Sequence, residues 1–466
     1  MKLNWKQWLR SKQNHMLVKL VVAILLMGLA FRLVFFRSTR LSPVLEQTPF
    51  AEKTVVPEET PFAEKNVLPE ETPSSEKTVL PEENPIAEKT LLPKSPVVPT
   101  PVSVPVQESG DQVPPRGKCD LFTGDWIPNP SGPIYTNQSC SFIESHQNCM
   151  NNGRPDTGYL YWRWNPRDCD LPPFDPQRFL EIMRNKRWAL IGDSISRNHV
   201  QSLLCMLSTV EQAVQVYHDE DYRSKGWHFP SYNFTISVLW SPFLVKADIF
   251  EDFNGVSTSE VELHLDELDK KWTDLYQNLD YMIFSTGKWF LKSSVYHENN
   301  TVVGCHYCPK RNLTQLGFVF AYPKALRSVL NFIATSNHKG MIFFRTSTPD
   351  HFENGEWSSG GICPKTAPVK EGEIELKDLN KLLRNIELEE FEKAAPEASR
   401  NGVKLKLFDP TLLSLLRPDG HPGSYREFHP FAQDKNAKVQ TDCLHWCLPG
   451  PIDSWNDLIM EMVVNG

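Results

Sequence analysis

From residue 187 onward, short apolar runs alternate with longer stretches whose apolar residues recur at helical spacing. The runs 188–191, 235–240, 281–285, 341–345 and 403–408 read as strands. Helices are predicted over 198–207, 321–336, 373–394 and 452–463. The alternation predicts an α/β domain with a mostly parallel sheet and helices on both faces. In such sheets ligands sit beyond the C-terminal ends of the strands. Residues 117–186 break the pattern. Few regular elements are evident there, and Trp, Pro and Cys suggest a loop-rich part pinned by disulfides. Within its block Tyr159-Leu160-Tyr161-Trp162-Arg163-Trp164, the two tryptophans read first as packing residues. The alternative is a sugar-binding platform, since aromatic faces pack against the C–H faces of pyranose rings.

The N-terminal segments follow other rules. Residues 17–36 form a hydrophobic stretch with Lys19 and Arg32 near its ends, where both can reach headgroups. No small-x-small cleavage site stands before the bulky Leu33-Val34-Phe35-Phe36 run, so an uncleaved signal anchor is expected. Five basic residues lie at 2–19 and three at 32–40. The positive-inside rule then leaves residues 1–16 in the cytosol and sends the rest into the lumen. Residues 48–95 hold four copies of a twelve-residue repeat, starting at Thr48, Thr60, Thr72 and Asn84. Its prolines forbid a continuous helix or a central strand, and its Glu and Lys supply no core. Residues 37–116 therefore read as an extended, largely disordered stalk.

Charge changes the picture by exclusion. The net charge of −8 combines +8 on residues 1–40 with −8 on 41–115, leaving −8 for the remainder. A globular part of that sign does not suit nucleic-acid phosphates. All ten cysteines lie beyond Gly117, which suggests disulfides in an oxidising lumen. The sequons at Asn137, Asn233, Asn299 and Asn312 agree with that compartment.

One stretch carries chemistry. The run Trp188 to Ile191 is broken by Gly192-Asp193, and a helical pattern follows. This puts Ser194 at a strand's C-terminal end and beside a helix N-terminus, where free backbone N–H groups favour an oxyanion. The plain alternative is a capped turn. Near the C-terminus comes Asp442-Cys443-Leu444-His445-Trp446-Cys447. Of the thirteen histidines, only His445 has an Asp three residues before it. Asp442 could fix the ring's tautomer while His445 takes the proton of Ser194.

Gly-Asp-Ser followed late in the chain by Asp-x-x-His resembles the GDSL/SGNH esterase superfamily. A wider set of motifs is similar to the plant trichome birefringence-like family of polysaccharide O-acetyltransferases. It comprises Cys119-Asp120-Leu121-Phe122-x-Gly-x-Trp126, Trp162-Arg163-Trp164-x-Pro166 and Gly192-Asp193-Ser194-x-Ser196-Arg197-Asn198. Arg417-Pro418-Asp419-Gly420-His421-Pro422 and the run from Asp442 to Gly450 complete it. The resemblance spans about residues 117–466, with a Trp/Cys-rich part at 117–186 and an α/β part at 187–466.

That resemblance implies an SGNH-hydrolase-like sandwich in a single-pass type II Golgi membrane protein, its catalytic domain in the lumen. The implied activity is acetyl transfer to hydroxyls of a plant cell-wall polysaccharide through a serine acetyl-enzyme. Similarity around Gly304-Cys305-His306-Tyr307-Cys308 leans toward xyloglucan. Ser194 becomes the nucleophile, His445 the base and Asp442 its partner, with Arg197 and Asn233 as helpers at the oxyanion site. Asn233 is also a sequon, and a glycan there excludes a place in a buried site. Ser285-Thr286-Gly287-Lys288-Trp289 departs from the family form, which has Asn first and often His before the Trp. The implied disulfides are Cys119–Cys169, Cys140–Cys205, Cys149–Cys447 and Cys363–Cys443. Cys305 and Cys308 are left over, with local pairing open to them. No second C-x-x-C pair stands elsewhere to complete a zinc site, and no metal is expected. No bound cofactor is expected either, and no phosphate cradle is recognisable. The acetyl donor is acetyl-CoA or an unidentified carrier. Two alternatives remain: an esterase with water as acceptor, and a non-catalytic wall protein that binds or bridges pectin and other polysaccharides.

Overall fold

The computed structural model describes residues 119–251 and 257–465. The expected cytosolic tail, signal anchor and stalk lie outside the described residues. Among the described residues, no helix is long and apolar enough to cross a membrane.

The strands in chain order are β1 (Gly124–Pro128), β2 (Trp162–Pro166), β3 (Arg187–Gly192), β4 (Val214–His218), β5 (Lys225–Phe229), β6 (Phe234–Trp240), β7 (Val245–Asp248), β8 (Val261–Leu268), β9 (Tyr281–Phe284), β10 (Ser294–Glu298), β11 (Thr301–His306), β12 (Met341–Arg345) and β13 (Lys404–Phe408). Seven form the central sheet in the order β13-β12-β9-β3-β6-β5-β4. The five from β13 to β6 run parallel, while β5 and β4 continue one edge antiparallel. A second sheet, β11-β10-β8-β7, and a β1–β2 pair complete the strands.

Strand β3 shows why the sheet is buried on both faces. Trp188 and Leu190 join one core, with Val200 and Leu204 from the Ser194–Leu207 helix and Trp455 from the Ser454–Val464 helix. Ala189 and Ile191 join the other, with Val329 and Leu330 from the Phe318–Thr335 helix and Leu383 from the Asp378–Arg400 helix. A strand covered on both sides reads as an unbroken apolar run.

Several bounds differ from the sequence expectation. The first helix begins at Ser194 rather than 198, because the Asp193 carboxylate accepts the N–H of Ile195 at 3.0 Å and caps it. The helix expected over 373–394 instead runs Asp378–Arg400 and passes through Pro396. Ala394 and Ala398 are buried in the second core, and this packing outweighs the missing hydrogen bond. The Trp/Cys-rich part is more regular than expected, since β1 and β2 pair from Gly124↔Pro166 to Pro128↔Trp162. Trp164 is buried, with its indole N–H on the Leu121 carbonyl, so it is a packing residue and not a platform. Trp162 is half-buried.

The four implied disulfides are present, and Cys305 pairs with Cys308. The N-terminal part is also fastened by charge. Arg417 and Asp419 form a two-point ion pair at 2.8 and 2.9 Å with both side chains fully buried. Arg417 also donates to the Tyr159 carbonyl at 2.7 Å. Arg417→Met would leave Asp419 as a buried charge without its partner. The expected loss in urea unfolding is about 3–5 kcal/mol, with a smaller loss when Asp419→Leu accompanies it.

Candidate active site

Four of the five parallel strands, β3, β6, β9 and β12, end at a cleft of about 1150 Å³. Its lining includes Ser194 after β3, Trp240 at the end of β6, Ser285 and Thr286 after β9, and Arg345 at the end of β12. The turn from β3 into the Ser194 helix is tight. A Cβ at Gly192 would lie 2.2 Å from the Ser285 carbonyl oxygen, so no larger residue fits beneath Ser194.

Ser194 and His445 are 251 residues apart, yet His445 Nε2 lies 2.7 Å from Ser194 Oγ. His445 Nδ1 lies 2.8 Å from Asp442 Oδ2. The other carboxylate oxygen accepts the backbone N–H groups of Leu444 and His445 at 3.1 and 3.0 Å. Burial alone would raise the Asp442 carboxyl. The charge of His445 and these hydrogen bonds outweigh it and hold the group well below the usual carboxylate range. The arrangement can move a proton from the serine hydroxyl to the imidazole, with a fixed anion behind the ring.

The loop that carries His445 is held from several sides. Asn198, one turn into the Ser194 helix, accepts the Trp446 N–H at 2.7 Å and donates to the Trp446 carbonyl at 3.3 Å. Gly423 and Asp442 exchange backbone hydrogen bonds at 2.9 and 3.0 Å. Cys443 and Cys447 are tied to Cys363 and Cys149. His421 stacks on Trp446 at 4.3 Å and meets the His445 carbonyl through Nδ1 at 2.8 Å. His351 follows, 2.7 Å from His421 and 2.9 Å from the Leu415 carbonyl. Burial pushes His421 down to about 3 and His351 to about 4.

Two sequence expectations separate here. Arg197 lies in the cleft lining, with its guanidinium 4.9 Å above the Trp240 ring. Asn233 does not belong to the site, and that expectation is corrected. It precedes β6, while the cleft lies at the other end of that strand, about 20 Å away by strand rise. Its exposed side chain bonds Asn185 at 3.0 Å. The sequon reading of Asn233 is thereby left free. Asn299 and Asn312 are exposed too, and Asn137 is half-buried. Ser285, where the related family has Asn, accepts a hydrogen bond from the buried Arg345 at 2.6 Å.

Sequence reasoning assigned no role to Asn198, His146, Trp357 or Arg345, although Asn198 stood in a quoted motif. All but Asn198 line the cleft. His146 comes from the N-terminal part and only folding brings it near His445.

The PC-Esterase family, described as a GDSL/SGNH-like acyl-esterase family found in Pmr5 and Cas1p, matches residues 171–462. The PMR5 N-terminal domain matches 117–170. The chain therefore belongs to the GDSL/SGNH-like acyl-esterase family, and within it to the trichome birefringence-like proteins. It is 54% identical to protein trichome birefringence-like 23 of Arabidopsis thaliana, over 100% of this chain and 99% of that one. It is 52% identical to protein trichome birefringence-like 24 of the same plant, over the whole of both chains. Xyloglucan O-acetyltransferase 1 of Populus trichocarpa is 44% identical over 74% of this chain and 81% of its own.

Asn198→Ala removes both hydrogen bonds to Trp446. It is expected to lower the unfolding free energy by about 2 kcal/mol, read by urea titration, and to lower turnover of an acetyl ester. The two depressed histidines fix a pH trend. Unfolded, they take up protons below their ordinary value near 6.5; folded, burial pushes them down to about 4 and 3. Their contribution is complete above pH ~6.5 and is lost as pH falls through ~6.5 toward ~4. Between pH ~6.5 and ~4 the thermal midpoint is expected to fall less steeply, or to rise more, in His351→Gln and His421→Gln than in the parent protein.

Proposed function

We propose that this protein is a polysaccharide O-acetyltransferase working through an acetyl-serine intermediate. The observation that carries the reading is the chain Asp442–His445–Ser194, closed at 2.8 and 2.7 Å at the wall of an open cleft. Its relatives named xyloglucan O-acetyltransferase 1, in Populus trichocarpa and Arabidopsis thaliana, support a polysaccharide acceptor, with xyloglucan the first to try.

Ser194 Oγ attacks the acetyl carbonyl of the donor while His445 takes its proton. The bond from the acetyl carbon to its carrier breaks, the thioester bond if the donor is acetyl-CoA, and the de-acetylated carrier departs with that proton. A sugar hydroxyl then gives its proton to His445 and attacks the acetyl-enzyme. Its oxygen bonds the acetyl carbon, the Ser194 ester bond breaks, and the proton returns to Ser194. The Ser194 N–H at the helix start is the first oxyanion donor, with Arg197 beside it; one such donor is worth about 3 kcal/mol. A type II Golgi membrane protein with this domain in the lumen fits the expected anchor and the five disulfides.

The test incubates the full-length protein with acetyl-CoA, or separately with 4-nitrophenyl acetate. De-acetylated xyloglucan, xylan, mannan and pectin are offered in parallel. Acetyl gain on one polymer is expected. Ser194→Ala is expected to abolish it without changing the thermal midpoint, and Asp442→Asn to lower it about 10³–10⁴-fold. Undiminished product from Ser194→Ala would overturn the reading. Free acetate with no acetylated polymer would make the protein an esterase.

A further inference from the structure

Asp442 holds His445 Nδ1, so once Ser194 is acylated only Nε2 is left to meet a sugar hydroxyl. Other groups must therefore hold a sugar in place. Two rings flank His445 and serve neither the core nor the Asp442–His445–Ser194 chain. His146, in the short turn Ser145–Gln147, stands edge-on to His445 at 5.9 Å between centroids. Trp357 stands at 6.3 Å, also edge-on. Both line the cleft.

We propose that His146 and Trp357 form the acceptor subsite, with a neutral sugar ring packed on Trp357 and its reacting hydroxyl held between His146 and His445. The inference rests on the acetyl-transfer reading and deepens it. The His146 side chain is 32% exposed, and the Glu144 carboxylate at 3.8 Å is too far for a hydrogen bond. Burial, then the neighbouring charge of His445, pushes His146 down to about 4, so the ring is neutral. A neutral imidazole offers one donor and one acceptor, which complements a hydroxyl. Trp357 is 38% exposed, and Arg426 lies over its ring at 5.0 Å, which fixes the indole. An indole packs against sugar C–H faces and gains nothing from water. Such a subsite favours a sugar over water at the acetyl-enzyme. Each ring is also tied to the His445 loop: Cys149 lies three residues after His146 and bonds Cys447, and Cys363 lies six after Trp357 and bonds Cys443.

The readout is the ratio of acetyl on polymer to acetate in solution. It uses the full-length protein, 4-nitrophenyl acetate and whichever polysaccharide of the panel gains most acetyl. His146→Ala and Trp357→Ala are each expected to lower that ratio about tenfold, the scale of one lost contact, with the KM for polymer rising. His146→Gln, which keeps a donor and an acceptor, is expected to recover part of the ratio. Thermal unfolding checks that each variant is folded. An unchanged ratio in both alanine variants, or equal loss of both products, overturns the subsite. Transfer that persists in Ser194→Ala overturns the acetyl-enzyme reading instead.

Discussion

The loop from Asp442 to Cys447 has to be pressed against the first turns of the Ser194 helix, and one amide side chain does the joining. Asn198 grips both polar groups of the Trp446 backbone, immediately after His445. Placing an imidazole nitrogen 2.7 Å from a hydroxyl on a distant element demands that neither element drift. The helix is fixed by its Asp193 cap and by β3 beneath it. The loop is fixed by two disulfides and by the ring of His421 on Trp446. Function and stability therefore meet on the same residues. The buried Arg417–Asp419 pair serves as a bracket between the N-terminal part and the segment leading to the loop.

Polarity in the cleft follows from topology. Five parallel strands end on the same side, so their following turns converge there. Gly192 lets the β9 turn approach within contact of the β3 turn. That approach brings Ser285 beside the Ser194 turn, and the buried Arg345 cation reaches Ser285 from behind. Lys288 in the same turn also lines the cleft and is held by Asp350 and Asn380.

Much of this could be read from residue order. The buried strands β3, β6, β9 and β12 announce themselves as apolar runs because both faces are covered, while the edge strand β13 alternates Lys with Leu and is only partly buried. The edge strand β4 does not, since Val214, Val216 and Tyr217 are exposed and its pattern carries no burial signal. The small sheet of β7, β8, β10 and β11 is equally quiet, because polar residues alternate with buried ones along β8. Ser194, Asp442 and His445 were legible because three residues of spacing let one carboxylate reach its own ring. Asn233 misled because a motif says nothing about which end of a strand it occupies. His146 and Trp357 stayed hidden because nothing local separates a ring that faces a cleft from one that fills a core.

The 251-residue separation of hydroxyl and imidazole has a consequence for biosynthesis. A ribosome delivers Ser194 long before His445, so the hydroxyl waits for a partner made much later. Before residues 442–447 are made, the Ser194 hydroxyl has no imidazole beside it. The hydrogen-bonded chain is complete only with that later loop in place, tied to Cys149 and Cys363.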